Sequence, residues 1–473
     1  MKNIFKITLL LGLFATASLS NSLNDTTQSV VKIFATVSKP NYQYPWQTSN
    51  IVKYTGTGAI ISDNKILTAA HVVAGAKLIE LTKENDPKKY IATIKYISHQ
   101  ADLALLDVED KNFFTNTKQL TLSTDVHVRD TATVVGYPVG GENVSTTTGI
   151  VSRIEQQYYV YSAESLLAIQ VDAAINSGNS GGPVVNDKNE LIGIAMMKNT
   201  KAENTAYIVP TEIINTFLED TKDRRIDGFS KERSYFSSIQ NEALKEYYGL
   251  KNGNGVLLAN VDKYNDVLKI NDILLAIDGK EIANNGTIST KYGRISFSHI
   301  FNTKQIGDSV TLDIIRDKKY IQIKSTIKRI PELVEFEYST NPQYVIYGGL
   351  VFAPVTRNYL ATLDKLEAEY IDKKLYSKTR SEEYQEAITM IPTVFPHEVN
   401  RGYSNWASVL KSVNGIPIKS FKHLIFVLDG INDKYTKFEF LEQATIILDT
   451  KKAKESFKDV QYIYGLSKDR NVE

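Results

Sequence analysis

Between Asn176 and Pro183 the chain reads Asn-Ser-Gly-Asn-Ser-Gly-Gly-Pro. A serine held among glycines is the setting that hydrolytic chemistry asks of a nucleophile, and Ser180 is the candidate. Glycine reaches backbone conformations closed to other residues, so the N–H groups of Gly178, Asn179 and Ser180 could converge on one point and form an oxyanion hole. Alone, such a segment is more often a turn between strands. Two upstream stretches change the balance. His71 lies in Thr68-Ala69-Ala70-His71-Val72-Val73, where an apolar run ends, and Asp102 opens the apolar run Leu103 to Leu106. A lone histidine is usually structural, and an aspartate at the start of a strand is commonly a cap. The order His71, Asp102, Ser180 is nevertheless one of the known chain orders of a catalytic triad, and joint occurrence by chance is far rarer than any one element.

These motifs, with Thr57-Gly58-Ala59-Ile60-Ile61, resemble those of the trypsin-like serine proteases, and among them the HtrA/Deg family. The layout beyond the protease region resembles the Deg group known from plants, which has bacterial relatives. The resemblance implies a serine endopeptidase that needs no cofactor or metal. His71 would be general base, Asp102 would orient it, and activity would fall as pH drops through roughly 6 to 7, near the free imidazole value. It further implies unfolded protein or peptide substrates, a role in protein quality control, and a homo-oligomer, a trimer or a multiple of trimers. A chaperone-like protein that binds non-native chains, with slow or conditional proteolysis, is the alternative. Zymogen-type relatives carry an Asp before the serine that pairs with a newly cut N-terminus; Asn179 stands there, so no such activation is expected. The position that carries an Asp in proteases selecting basic side chains is Ala174, and Ala195, Met196 and Met197 would form the pocket wall. Such a pocket favours a small or medium aliphatic residue, although the methionines fit core packing equally well.

The elements that must position these residues are also legible. From about Gln28 to Val209 short apolar runs alternate with turn residues, which argues for an all-β domain, and the resemblance selects two six-stranded Greek-key barrels with the triad at their junction. Thr211 to Arg224 groups Ile213, Ile214, Phe217 and Leu218 on one face, a closing helix. The next region carries Tyr248-Gly249-Leu250, Gly255-Val256-Leu257-Leu258, Asn271-Asp272-Ile273-Leu274 and Ile277 to Ile282, and resembles a PDZ domain of the Deg type, with Asn271 where a glycine is usual. Tyr248, Gly249 and Leu250 are the candidates for the loop that binds a peptide's terminal carboxylate, the neighbouring strand pairing with the peptide. The last region repeats this in weaker form at Tyr347-Gly348-Gly349-Leu350 and Val413 to Ile418, with a charged insertion, Asp364 to Glu386, expected to be a solvated helix. That domain would bind peptide or hold the oligomer together. The expected fold is therefore mainly β: a trypsin-like double Greek-key β-barrel protease domain over residues 21–228, then two α+β PDZ-like domains over 229–332 and 333–473.

Residues 1–20 carry Lys2 and Lys6, an apolar segment from Ile7 to Phe14 and then small residues. This reads as a secretory signal peptide cleaved near residues 17–20, with an apolar core too short to span a bilayer, and it implies a periplasmic or secreted protein. The chain has no cysteine, which excludes disulfides and thiolate metal sites. With 55 Lys plus Arg against 54 Asp plus Glu it has no basic footprint for nucleic acid, and beyond the leader no apolar run is long enough for a membrane helix.

Overall fold

The short apolar runs become the walls of two closed barrels. In the first, β1 (Val30–Pro40), β2 (Thr48–Ile61), β3 (Lys65–Thr68), β4 (Ala76–Lys83), β5 (Asp86–Ser98) and β6 (Leu103–Val108) close in the order β1-β2-β3-β6-β5-β4. The alternation in β5 shows why: Tyr90 and Ala92 are buried while Ile91 between them is exposed, the two-residue period of a strand with one face on a core. Tyr90 meets Phe113 edge to face, with ring centroids 4.9 Å apart. The second barrel takes β7 (Thr131–Gly136), β8 (Ser145–Tyr159), β9 (Glu164–Val171), β10 (Pro183–Val185), β11 (Leu191–Lys198) and β12 (Ala206–Pro210), in the order β10-β11-β12-β9-β8-β7. Closure removes the edge strands that would otherwise template aggregation.

This computed structural model describes residues 26–198, 205–250, 253–262, 265–329, 334–338, 340–376, 387–403, 408–441 and 444–472. The leader expected at residues 1–20 lies outside them. The chain divides into two units, one comprising Met1–Val37 and Val52–Ile330, the other Ser38–Ile51 and Pro331–Glu473.

In the first unit one apolar core runs from Ala59 and Leu105 through Val134, Ile169 and Ile194 to Ile213 and Phe217 and on to Leu258, Ile277 and Leu312. Helix α1 is the short Ala70–Val73 helix carrying His71, and α2 is Thr211–Asp220, whose buried face holds Ile213, Ile214 and Phe217. Burying Phe217 completely contributes about 1.5–3 kcal/mol. The PDZ-like sheet of this unit has the order β13-β14-β15-β19-β20, where β13 is Tyr235–Ser238, β14 Val256–Asn260, β15 Ile273–Ile277, β19 Ser309–Arg316 and β20 Lys319–Thr326. The small strand β16 (Lys280–Glu281) returns on β15, and β17 (Thr287–Thr290) pairs with β18 (Gly293–Ser296). Two short helices belong here, α3 (Glu242–Tyr248) and α4 (His299–Asn302). Asn271 takes φ 75°, the left-handed conformation that the usual glycine would supply, and accepts a hydrogen bond from the Tyr248 hydroxyl at 2.9 Å.

The second unit is built on β21 (Tyr344–Tyr347), β22 (Leu350–Pro354), β23 (Ile388–Val394), β24 (Ser408–Val413), β26 (Tyr435–Phe440), β27 (Thr445–Asp449) and β28 (Arg470–Asn471), ordered β27-β26-β24-β23-β22-β21-β28, with β25 (Ile416–Pro417) beside β24. Tyr347 pairs with Leu350, so Gly348-Gly349 is a tight hairpin turn, and β22 is paired on both sides. The sequence parallel with a carboxylate-binding loop therefore has no open strand beside it. Of the charged insertion, Lys365–Tyr376 is helical with Leu366 exposed, as expected, but Ile371 and Leu375 are buried; residues 377–386 lie outside the described residues. The tip of the β1–β2 hairpin also belongs to this unit, which departs from a protease domain running unbroken over 21–228. Trp46 sits 4.8 Å from the Phe395 ring and the Tyr42 hydroxyl donates to the Glu337 carbonyl at 3.1 Å, giving two large aromatic side chains the apolar cover they need.

Candidate active site

Three local structures carry the candidate residues. His71 sits on α1, immediately after β3 ends at Thr68. Asp102 precedes β6 in the left-handed conformation, φ 54°, which turns the chain sharply enough to aim its side chain at that helix. Its carboxylate makes two bonds to one residue: Oδ1 accepts the His71 backbone N–H at 2.9 Å, and Oδ2 lies 2.7 Å from His71 Nδ1. The Asp102 carbonyl also accepts the Ala70 N–H at 3.0 Å. With the carboxylate accepting at Nδ1, the neutral ring keeps its proton there and leaves Nε2 as a base. Asp102 is 1% exposed and the His71 side chain 31%, so the carboxylate is shielded and the imidazole remains reachable. Burial works to lower the His71 pKa, but the charge and hydrogen bond of Asp102 outweigh it, and the net shift is upward.

The half-buried Ser180 is held by backbone rather than by charge. Its carbonyl accepts the Thr57 N–H at 2.9 Å, while the Thr57 hydroxyl donates to the Gly178 carbonyl at 2.7 Å and accepts the Tyr137 N–H at 2.9 Å. Thr68 in turn donates to the Thr57 carbonyl at 2.7 Å. Gly181 has φ 81°, and a Cβ there would stand 2.1 Å from Thr68 Oγ1 and 2.3 Å from the Thr57 carbonyl, so a glycine is what lets the turn approach the strands flanking His71. Thr57 and Thr68 open two of the sequence motifs but carry no chemistry there; the folded chain uses them as braces, two fully buried hydroxyls in otherwise apolar strands.

The backbone donors separate the three candidates for the oxyanion hole. Among the described residues, the Gly178 and Ser180 N–H groups have no backbone acceptor, whereas the Asn179 N–H donates to the Asn176 carbonyl at 3.0 Å and is spent within the turn. Asn179 is thus a shaping residue and not a donor. Its side chain is 2% exposed and its Oδ1 has no hydrogen-bond partner among the described residues, a site where an ionised Asp would be far costlier than an amide.

The pocket expected from sequence is rearranged. Ala174 is exposed, its carbonyl accepting from the Thr147 hydroxyl at 2.8 Å, so it does not floor an enclosed pocket. Ala195 and Met196 are buried in the barrel core and hence are packing residues, and the Met197 side chain lies outside the described residues. The register shifts between Ala195 and Met197, so both Ala195 and Met196 are buried, the core packing that the sequence equally allowed for methionine here. The carboxylate loop is also displaced. Tyr248 ends α3, and Gly249, at φ 81°, donates its N–H to Glu246 while Leu250 donates to Lys245 at 2.8 Å, the hydrogen bonding of a helix C-terminus. Those N–H groups are occupied and cannot receive a peptide carboxylate.

A two-barrel fold with a buried aspartate on an accessible histidine, and unspent N–H groups flanking a serine, defines a trypsin-like serine protease, here joined to PDZ-like domains. The sequence pattern of the trypsin-like peptidase domain matches residues 56–194 and that of the PDZ domain residues 334–472. The chain belongs to the Do-like protease family, also called HtrA or Deg. It is 33% identical over 457 residues to protease Do-like 2, chloroplastic, of Arabidopsis thaliana, covering 94% of this chain and 75% of that one. With the putative mitochondrial protease Do-like 3 of the same plant it shares 33% identity over 434 residues, 90% of this chain and 76% of the relative. Among solved structures, the HtrA-type protease AlgW with decapeptide aligns at a TM-score of 0.50 and 22% identity, over 66% of this chain and 99% of its own, a likeness of fold. These plant relatives are named for organelles, so the periplasm expected from the leader gains no support from them. Among the described residues no helix is long and apolar enough to cross a membrane.

Proposed function

We propose that this protease is an endopeptidase that removes unfolded or damaged proteins without ATP, with Ser180 as nucleophile, His71 as general base and Asp102 as its orienting partner. The observation that carries the assignment is the pair of hydrogen bonds that the Asp102 carboxylate accepts from His71, from the backbone N–H at 2.9 Å and from Nδ1 at 2.7 Å, which fix the ring and its tautomer. His71 Nε2 takes the Ser180 proton as Oγ attacks the scissile carbonyl. The Gly178 and Ser180 N–H groups stabilise the oxyanion, and the imidazolium, held by Asp102, returns the proton to the leaving amine. Water, activated by the same histidine, then releases the acyl group.

Peptide recognition would use β13, which among the described residues pairs with β14 alone and so offers an edge to an extended chain. Isothermal titration with peptides ending in apolar residues tests this, and absence of binding would count against it. Residues 1–20 would serve as a cleaved targeting leader, and assembly into trimers or their multiples would follow the family; N-terminal sequencing of the purified protein and its sedimentation check the two. The central experiment compares the chain lacking residues 1–20 with its Ser180→Ala variant on a permanently unfolded protein, with and without chelator. Cleavage by the parent alone, indifferent to chelation, supports the reading. Equal cleavage by both removes Ser180 from it, and suppressed aggregation without cleavage favours a chaperone.

A further inference from the structure

Two residues before Asp102, a side chain outside the triad ties the aspartate's loop to the chain that leads into the first PDZ-like domain. Gln100 Oε1 accepts the Phe229 N–H at 2.7 Å, and Gln100 Nε2 donates to the Phe229 carbonyl at 3.3 Å, so one amide reads both polar groups of one backbone residue. The approach is close enough to dictate sequence: Gly228 has φ 85°, and a Cβ on it would lie 2.2 Å from Gln100 Oε1. The linker is fixed on its other sides as well. The Asp220 carboxylate accepts the N–H groups of Asp227 and Gly228 at 3.1 and 3.0 Å, and Asn302 of α4 donates to the Ser230 carbonyl at 3.1 Å. Asn302 is itself held by Gln156 of β8 at 3.2 Å.

The loop needs such support. Asp102 lies in the left-handed region, a conformation that persists for a non-glycine residue only where the surroundings over-determine it. Its neighbours are pinned one by one: the Ser162 hydroxyl donates to the Gln100 carbonyl at 2.8 Å, and the Asp102 N–H donates to the His99 carbonyl at 3.3 Å. Gln100 is the member of this set whose side chain reaches out of the protease barrels.

We propose that Gln100 is a positioning residue for the Asp102 carboxylate, and that the linker at Gly228-Phe229 is the clamp that holds it. Ordering of the linker, and with it of α4 in the first PDZ-like domain, thereby becomes a condition for full catalytic order, with no ligand contact to the triad required. This rests on the assignment of Ser180, His71 and Asp102 made above.

The test measures kcat, KM and the acid limb of kcat/KM on a peptide substrate for the full chain, for Gln100→Met, which keeps length and removes the amide, and for Gln100→Asn, which shortens it. Ser180→Ala runs beside them. Displacement of a catalytic group by a fraction of an ångström to about 1 Å is expected to lower kcat on the order of 10–100-fold, with KM within about twofold. The acid limb should also move downward, because a misplaced Asp102 raises the His71 pKa less. Around the pair, burial pushes His99 down to about 4 and pushes Tyr159 upward, so neither changes charge across that limb. Gly228→Ala attacks the clamp from the linker side and should reproduce both changes, yet add little to Gln100→Met, as coupled sites do. An unmoved kcat and acid limb in whichever glutamine variant folds, or full additivity with Gly228→Ala, overturns the proposal. Activity persisting in Ser180→Ala would instead overturn the triad assignment beneath it.

Discussion

The two barrels hold their shares of the site by different physics. The first fixes His71 through charge, a buried carboxylate with both oxygens on one residue. The second fixes Ser180 through steric room and backbone hydrogen bonds, with Thr57 as the bracket and Gly181 as the space. The first half should therefore respond to pH and to isosteric loss of charge, and the second to added volume and to lost hydroxyls. What this teaches is that one active site can fail in two separable ways, chemically while still folded or geometrically while still correctly charged.

Substitutions can break that contrast, beginning with the largest effect. Ser180→Ala should cost on the order of a millionfold in kcat while leaving the melting temperature nearly unchanged. Asp102→Asn removes the charge and keeps the shape; single-turnover kinetics should show a loss of about 10⁴ near neutral pH, because the amide can donate to Nδ1 and select the wrong tautomer. A loss of less than tenfold would mean that the first barrel works by shape as well. Gly181→Ala forces a Cβ within 2.1 Å of Thr68 Oγ1 at φ 81°. It should destabilise the fold by about 2–4 kcal/mol, from the left-handed penalty and overpacking together, read as a lowered denaturation midpoint. Thr57→Val leaves the Gly178 carbonyl and the Tyr137 N–H without the hydroxyl that served both, at about 1–3 kcal/mol, and should depress kcat without moving the pH profile.

The smallest effect sharpens the contrast most. Because the His71 pKa is raised, kcat/KM should lose activity below a midpoint above the ordinary imidazole value of about 6.5, tenfold per pH unit. The sign for stability is opposite: protonated His71 pairs with Asp102, so this contribution is fully present below the unfolded-state pKa and is lost as pH rises through the folded-state value. The pair is thus most stabilising in its inactive form. A midpoint below that ordinary value would show burial prevailing over the Asp102 charge.

How much could be read from sequence followed from how local each feature is. His71, Asp102 and Ser180 were legible because each sits in a short motif whose neighbours make its turn or strand. The barrels were legible in the two-residue period of runs such as β5. Tyr248-Gly249-Leu250 misled because a glycine between apolar residues is equally the mark of a helix C-terminus, and only the hydrogen bonds distinguish the two. Sequence left Met196 open between pocket wall and core, and its burial beside a register shift favours the core.

Two regions with similar glycine signatures diverge for the same reason. Among the described residues β13 has a partner on one side only, while β22, following Gly348-Gly349, is paired on both sides, a distinction set by which other strands reach it. Periodicity determined the strands and motif spacing pointed to the three candidate catalytic residues, because those depend on neighbours within a few positions, while the two-barrel grouping came from the family resemblance. Tertiary structure alone decided which N–H groups remain unspent, which methionine is core, and that Thr57 and Gln100 hold the turn and loop of the site. The contacts of Thr57 with Gly178 and of Gln100 with Phe229 each cross more than a hundred residues, and a hydrogen bond of that span leaves no mark on the local pattern from which a sequence is read.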